Sequence, residues 1–379
     1  MEKSDLVRLT AWLISVIVLV AGEDEDVEDL FGLDYSQIRA PKGIGGGPVL
    51  VQIGIHFLNV KVDEDSQTLQ FDCYLRTVWQ DQRIIVPHNA SEVQLDTAIV
   101  SRLWVPNTFF VHVQSVTRPM LLSDASGIIL YQNKTVSHSS LYLTKYTCNL
   151  DYHKYPMDTQ RCVVRIQSYG YTNISMILGW HFTGISWDKD IRMRSFELVD
   201  MRTLEPSFIT FFDGSYSELS FEVLLARKVR NSVLSVYVPS TMLIIVSWLS
   251  LWVPPKLVPG RMVLAITTLL TLTGLFNANV SQSMPEVSYV KALDVWILAC
   301  IVFVFGTIVE YIVVLRLFYD GDQTAPSPDK RAQEVSWTEC RKWNGVEKAV
   351  VLEKVSRALS PVMFLIFNVV YWGYYLTTD

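Results

Sequence analysis

The sequence predicts an all-β sandwich held outside a membrane, followed by a bundle of four membrane-spanning helices. Two observations carry this. Between Val49 and about Arg230 no apolar run is long enough to span a bilayer, and short β-branched and aromatic stretches are separated by turn-rich pieces. Beyond that point four runs, Ser232–Val253, Met262–Val280, Leu293–Leu317 and Leu359–Leu376, have the length and apolar character of spans. Composition agrees. Of 379 residues 50% are hydrophobic and 18% charged, below the quarter usual for soluble chains, which argues against a single soluble domain. The net charge of -6, with no basic cluster outside the membrane-proximal parts, gives no reason to expect nucleic acid as a partner.

Taken in order, Lys3 and Arg8 precede the apolar run Leu9 to Val20, which ends at Ala21-Gly22; this reads as a signal peptide over residues 1–22. An acidic, then Gly/Pro-rich leader follows at 23–48, inside a domain expected over 23–230. The strand texture is carried by VLVQIGIHFLNVKV (49–62), QTLQFDCYLRTVWQ (67–80), IILYQN (128–133), VVRIQSYG (163–170) and SELSFEVLLAR (217–227). That many short strands favour a sandwich. Asn89, Asn133 and Asn173 begin glycosylation acceptor triplets, as a secreted side would allow. Cys148 and Cys162 enclose thirteen residues, and closing that loop in an oxidising compartment contributes roughly 3 kcal/mol. Cys73, Cys300 and Cys340 read as free thiols.

The second apolar run is oddly polar for a helix facing lipid. Within Lys256 to Ser281, Thr267, Thr268, Thr271, Thr273, Asn277 and Asn279 place hydroxyls and amides at membrane depth, where an unsatisfied polar group is costly. Helical spacing gathers Val263, Thr267, Leu270, Gly274, Ala278 and Ser281 on one seam, small and polar except for Leu270 near mid-membrane. Two readings fit: a helix lining a pore that a leucine ring closes by dewetting, or a bundle helix whose threonines bond back to their own backbone. Glu310, an ionisable residue in the third run, is a functional candidate or a snorkelling partner of Arg316.

At this point the residues resemble a known family. The loop C-NLDYHKYPMDTQR-C is similar to the signature loop of the Cys-loop receptors, pentameric ligand-gated ion channels. Further matches follow in that family's order: WVPNTFF (104–110), SYGYT (168–172), GSY (214–216), Arg230, YVPS (237–240), the threonine-rich helix, SYVKALDVW (288–296) and SRALSPVMFLIFNVVYW (356–372). The nearest branch by resemblance is the anion-selective one, gated by GABA, glycine or glutamate.

That resemblance implies a ring of five identical or related subunits around a central pore, in the plasma membrane, with the first domain and the C-terminus outside. Helices one to three would occupy 231–317, a cytoplasmic loop 318–344, and an amphipathic helix with the fourth span 345–379. A small extracellular agonist, chloride ions and membrane lipids are the implied partners; no cofactor or enzymatic activity is implied. Position by position, Phe109, Tyr169, Phe211 and Tyr216 would line one face of the agonist site, with Tyr74 and Arg76 opposite. Arg76 stands where such receptors grip a ligand carboxylate. Gln167 stands where they usually place a glutamate for the ammonium group, a charge that Asp213 would supply instead. At the cytoplasmic mouth Pro259, Gly260 and Arg261 replace the acidic pattern of cation channels. Coupling to the pore is expected through Asp158, Asp63, Glu64 and Asp65 facing Arg230 and Lys291.

The residues themselves show no metal-ligand spacing of histidines, no phosphate loop and no nucleophile elbow. Rival readings remain: a membrane-anchored adhesion protein with a lectin-like sandwich, a non-conducting accessory subunit, an orphan channel gated by protons, lipid or metal, or a cation conductor.

Overall fold

A computed structural model of the chain describes residues 30–32, 34–86, 91–120, 124–254, 257–282, 287–322 and 337–377, with side chains withheld for a few of these, among them Ser281 and those of 337–346. The expected signal peptide over residues 1–22, Asn89, Lys256, Met284, the segment 323–336, Asp379 and the side chain of Cys340 lie outside the described residues. Contacts divide the chain into two units, one of residues 1–150 with 161–225, the other of 151–160 with 226–379.

The first unit is a sandwich of two sheets. Its strands are β1 (Val49–Asp63), β2 (Thr68–Gln80), β3 (Glu92–Leu95), β4 (Thr108–Phe110), β5 (Val113–Thr117), β6 (Ser126–Tyr131), β7 (Thr135–Thr147), β8 (Thr159–Ser168), β9 (Met176–Trp187), β10 (Phe196–Thr203), β11 (Ser207–Phe211) and β12 (Gly214–Arg227). One sheet has seven strands in the order β3-β6-β7-β2-β1-β9, with β5 on β7. The other has five, β10-β12-β8-β4, with β11 on β12.

Alternation explains the layering. Along β2, Leu69, Phe71, Cys73, Thr77 and Trp79 are buried while Tyr74 and Arg76 point outward and are exposed. The core lies between the sheets: Phe57 of β1 meets Phe71 of β2 at 5.3 Å and Phe221 of β12 at 5.6 Å, edge-on or tilted. Burial pushes the Cys73 thiol up to about 12, so it stays protonated and inert. The Cys148–Cys162 disulfide is formed and ties the end of β7 to β8.

The second unit is helical. Its helices are α1 (Arg230–Trp252), α2 (Val258–Gln282), α3 (Ala292–Asp322) and α4 (Trp337–Thr377). Among the described residues the first three are long and apolar enough to cross a membrane. The expected amphipathic helix at 345–360 runs on into the 359–376 segment as one helix, with Pro361 inside it. Tyrosines and an asparagine at that end lower its hydropathy, yet it supplies half of the aromatic core: Phe364, Phe367 and Tyr371 surround Trp296, with ring centroids at 6.0, 5.8 and 5.1 Å. Their polar ends are satisfied. The Tyr371 hydroxyl donates to the Ala292 carbonyl at 3.0 Å, and Trp296 Nε1 donates to Ser240 Oγ at 2.9 Å.

The loop 151–160 belongs with these helices. Helix α3 begins with backbone N–H groups that lack partners within the helix. Carbonyls of this loop take two of them: Ala292 donates to His153 and Leu293 to Tyr155, at 3.0 and 3.1 Å. The Tyr152 N–H donates to Tyr289 Oη at 2.9 Å, and the His153 ring lies flat on the Tyr289 ring at 3.9 Å.

Candidate functional site

The aromatic residues expected at an agonist site form two pairs and a separate patch. Phe109 on β4 meets Tyr169, just past β8, edge-on at 5.5 Å. Phe211 and Tyr216 face each other across the β11–β12 hairpin at 5.8 Å. Both pairs belong to the five-stranded sheet, while Tyr74 and Arg76 project from β2 in the seven-stranded one. Asp213 accepts a hydrogen bond from the Tyr216 hydroxyl at 2.7 Å, which holds that phenol above its ordinary range. Gln167 is not an open polar wall: it is 4% exposed, opposite Phe109 in the β4–β8 register, and its amide nitrogen has no hydrogen-bond partner among the described residues.

Sequence reasoning missed two histidines beside Arg76 and Tyr74. His56, on the outward face of β1, stacks over Tyr74 at 6.4 Å and is held by Ser186 and Asp188 at 2.9 and 3.2 Å. His181 comes from a bulge in β9. Register with β1 jumps from Ile53↔Trp180 to Ile55↔Ile185, so residues 181–184 arch over Gly54, itself paired with Arg76. A Cβ on Gly54 would be tight beneath the arch, 3.1 Å from Thr183 Oγ1 and 3.5 Å from His181 Cβ. Burial, and then the Arg76 charge, hold the His181 imidazole below its ordinary range, so it is neutral at neutral pH. Period-two counting along β9 gives no sign of this displacement. Gly184, at φ 54°, is the one local cue.

Along α2 the expected seam lies open, together with Leu264 and Ile266 beside it. Val263, Thr267, Leu270, Gly274 and Ala278 are all exposed on the single chain, Val263 at 59% and Leu270 at 70%, whereas Arg261, Ala265, Thr268 and Leu272 are buried against the other helices. The side chain of Ser281 lies outside the described residues. Thr267 and Thr271 do bond back to the carbonyls of Val263 and Thr267, each at 2.7 Å. Back-bonding and an open stripe therefore coexist, because a hydroxyl on its own backbone keeps its oxygen available to water.

Arg261 corrects the expectation at the cytoplasmic mouth. Pro259 and Gly260 are exposed, but Arg261 is 1% exposed and turned into the bundle. Its guanidinium lies 3.0 Å from Glu353 of α4, 3.5 Å from Glu310 of α3 and 4.4 Å above the Tyr311 ring. Arg357 adds a second cation, 3.4 Å from Glu353, and donates to the Leu251 carbonyl at 3.0 Å. Glu310 thus faces Arg261, where Arg316 or the membrane boundary was expected. A side chain so enclosed does not present its charge to a passing ion. What stays exposed there is the start of α2, the end of the helix that carries partial positive charge.

The coupling residues need a second correction. Asp158 is 4% exposed and pairs with Arg227, at 2.7 and 3.2 Å, where Arg230 was expected. Arg230 is exposed, three residues further on at the start of α1. Gln160 also donates to Asp158, at 2.5 Å, and the Arg227 guanidinium stacks on Tyr155 at 4.7 Å. Lys291 donates its backbone N–H to Asp294 at 3.1 Å as a helix-start bond, and Asp63 accepts from Ser66 within its own turn at 2.7 Å. Because both charges of the Asp158–Arg227 pair are buried, removing one strands the other. Asp158→Asn is expected to lower stability by about 3 kcal/mol. Arg230→Gln should change it by less than about 0.5 kcal/mol. Thermal melting of the purified variants tests this, and equal losses would return Arg230 to the pair.

Asn133 stands in the exposed β6–β7 turn, while Asn173 is half-buried and its backbone N–H donates to the Ser215 carbonyl at 2.8 Å.

Two family models match the chain. The neurotransmitter-gated ion-channel ligand binding domain covers residues 23–229, and the neurotransmitter-gated ion-channel transmembrane region covers 236–349. Among relatives, the chain is 28% identical to the gamma-aminobutyric acid receptor subunit beta-4 of Gallus gallus over 74% of its own length and 58% of that protein. It is 27% identical to the rho-3 subunit of Homo sapiens over 92% of its own length and 87% of that protein. It is 32% identical to a serotonin-gated chloride channel of Caenorhabditis elegans over 69% and 54%. The matched stretch therefore spans little more than half of two of these relatives. Sandwich, disulfide loop, polar-striped helix and both family models together place this chain in the family of neurotransmitter-gated ion channels.

Proposed function

We propose that the chain is one subunit of a ligand-gated anion channel, five of which form a ring in the plasma membrane with α2 innermost. The observation that supports it most is that the seam of Val263, Thr267, Leu270, Gly274 and Ala278 lies on the side of α2 that the chain's other helices leave open. A lone anchor for an adhesion domain has no use for such a stripe. In the ring, four helices cross the membrane, the sandwich faces outward and Leu270 closes the pore. Anions are favoured because no carboxylate lies on α2 and its helix-start amides point toward the cytoplasmic mouth. Cells expressing the chain alone should carry a current whose reversal potential follows chloride; one that follows sodium and ignores chloride overturns the selectivity.

The agonist is a small amine or amino acid held between Phe109, Tyr169, Phe211 and Tyr216 of one subunit and Tyr74 and Arg76 of the next. The buried, unpartnered Gln167 amide supports a ligand that offers an acceptor there, and Asp213 with the aromatic rings supports a cationic end. Relatives are named for gamma-aminobutyric acid and for serotonin, so these head the screen. For a carboxylate agonist, Arg76→Ala removes a charge-assisted bond worth about 1.5–3 kcal/mol, roughly a ten- to hundredfold loss of potency. An agonist whose potency ignores both Arg76→Ala and Tyr169→Ala refutes the site while leaving the channel intact.

A further inference from the structure

Residues 35–39 of the leader lie in no strand or helix, yet they are tied to both segments that carry the Phe109–Tyr169 pair. The tie runs through Trp104, 1% exposed and just ahead of β4. Its backbone N–H donates to the Tyr35 hydroxyl at 2.9 Å, and that hydroxyl donates on to Asp81 at 3.2 Å. Its indole N–H donates to the Tyr171 hydroxyl at 2.9 Å, which donates in turn to the Ile38 carbonyl at 3.1 Å. Tyr171 follows closely on Tyr169 and lies edge-on to Trp104 at 5.7 Å. Burial pushes the Tyr35 phenol up to about 12, so it stays a hydroxyl that accepts and donates at once.

The leader is pinned from a third side. Arg83 grips Asp81 with two nitrogens, each at 2.8 Å, and with its remaining nitrogen donates to the Ser36 and Arg39 carbonyls at 2.9 and 2.8 Å. Its guanidinium also covers the Tyr35 ring at 4.6 Å. The aromatic pair itself is lightly held. Among the described residues β4 is three residues long and pairs with β8 alone, and the Tyr169 N–H donates to Asn107 at 3.1 Å. A short edge strand with so few bonds opens locally unless it is anchored. We propose that residues 35–39 are a strap that positions Phe109 and Tyr169, acting through the hydroxyls of Tyr35 and Tyr171. These two are positioning residues, acting through the loops and not on the ligand, and their role rests on the agonist site proposed above.

The test uses the full chain with Tyr35→Phe and Tyr171→Phe, which keep the rings and remove only the hydroxyls. Tyr146→Phe is the control, since its hydroxyl donates to the Val163 carbonyl at 3.1 Å, away from both segments. Hydrogen exchange of the purified protein needs no agonist. Residues 105–111 and 166–172 are expected to exchange about tenfold faster in both strap variants, with β1, β2 and β7 unchanged. Acceleration throughout the sandwich, or none, overturns the strap. In cells, with gamma-aminobutyric acid as the probe, both variants are expected to need about tenfold more agonist at equal surface expression and equal maximal current, while Tyr146→Phe needs no more. A potency that falls with Tyr169→Ala but ignores Tyr171→Phe overturns the positioning role. A potency that ignores both overturns the agonist site, and the exchange measurement alone then decides the strap.

Discussion

Arg261→Ala is expected to abolish surface expression of the chain, and a triple replacement that removes Arg261 with both of its carboxylates is expected to restore it. In the native protein Arg261 is 1% exposed and neutralises Glu353 at 3.0 Å and Glu310 at 3.5 Å. Alanine leaves Glu310 without that cation and Glu353 with Arg357 alone, a loss of about 3–5 kcal/mol against a total stability of about 5–15. Arg261→Met with Glu310→Leu and Glu353→Leu removes the stranded charges together with their desolvation cost and leaves Arg357 partly exposed on the Leu251 carbonyl, and such swaps are often neutral or stabilising. Surface biotinylation and thermal melting give the answer, and a triple variant as poorly expressed as the single one would show that the charges themselves are required. The restored channel also isolates selectivity: with Arg261 gone, an unchanged chloride reversal potential leaves the helix-start amides as the source of anion preference.

The cluster also marks where reading the sequence stopped. Strands, spans, the polar stripe and the disulfide loop were legible because each is written at short range, in period-two or helical spacing or in a two-cysteine loop. Arg261, Glu310 and Glu353 come from three helices and carry no common spacing. A basic residue at the start of a pore helix reads as a pore charge until its rotation about the helix axis is known. The same holds for Asp158, whose partner is Arg227 because the last residues of β12, and not the first of α1, run beside the loop. Gln167 was legible as a residue but not as a buried one, since β8 packs three successive residues inward at its end, Ile166, Gln167 and Ser168, against strict alternation. His181 was invisible because a bulge breaks the count on which outward and inward positions depend.

Leu270→Ser is the substitution expected to change function most with least effect on the fold. Leu270 is 70% exposed on the single subunit and its neighbours in the bundle, Thr268 and Leu272, are buried, so the change removes almost no packing within the chain. Its effect falls on the lumen. In the proposed ring, five leucines at one level would form an apolar constriction in which water loses hydrogen bonds that the walls do not replace, and this would keep the resting pore dry. Five hydroxyls offer those bonds and favour the wetted, open state. A gain of only about 1.4 kcal/mol for the open state multiplies the open-to-closed ratio roughly tenfold. The expected record is a standing current without agonist, or an agonist curve shifted at least as far to lower concentration. Thr267→Ala, one turn below on the same stripe, removes a hydroxyl already bonded to the Val263 carbonyl and should leave the resting state closed. If Leu270→Ser conducts on stimulation with unaltered resting current and potency, the gate lies elsewhere on the stripe.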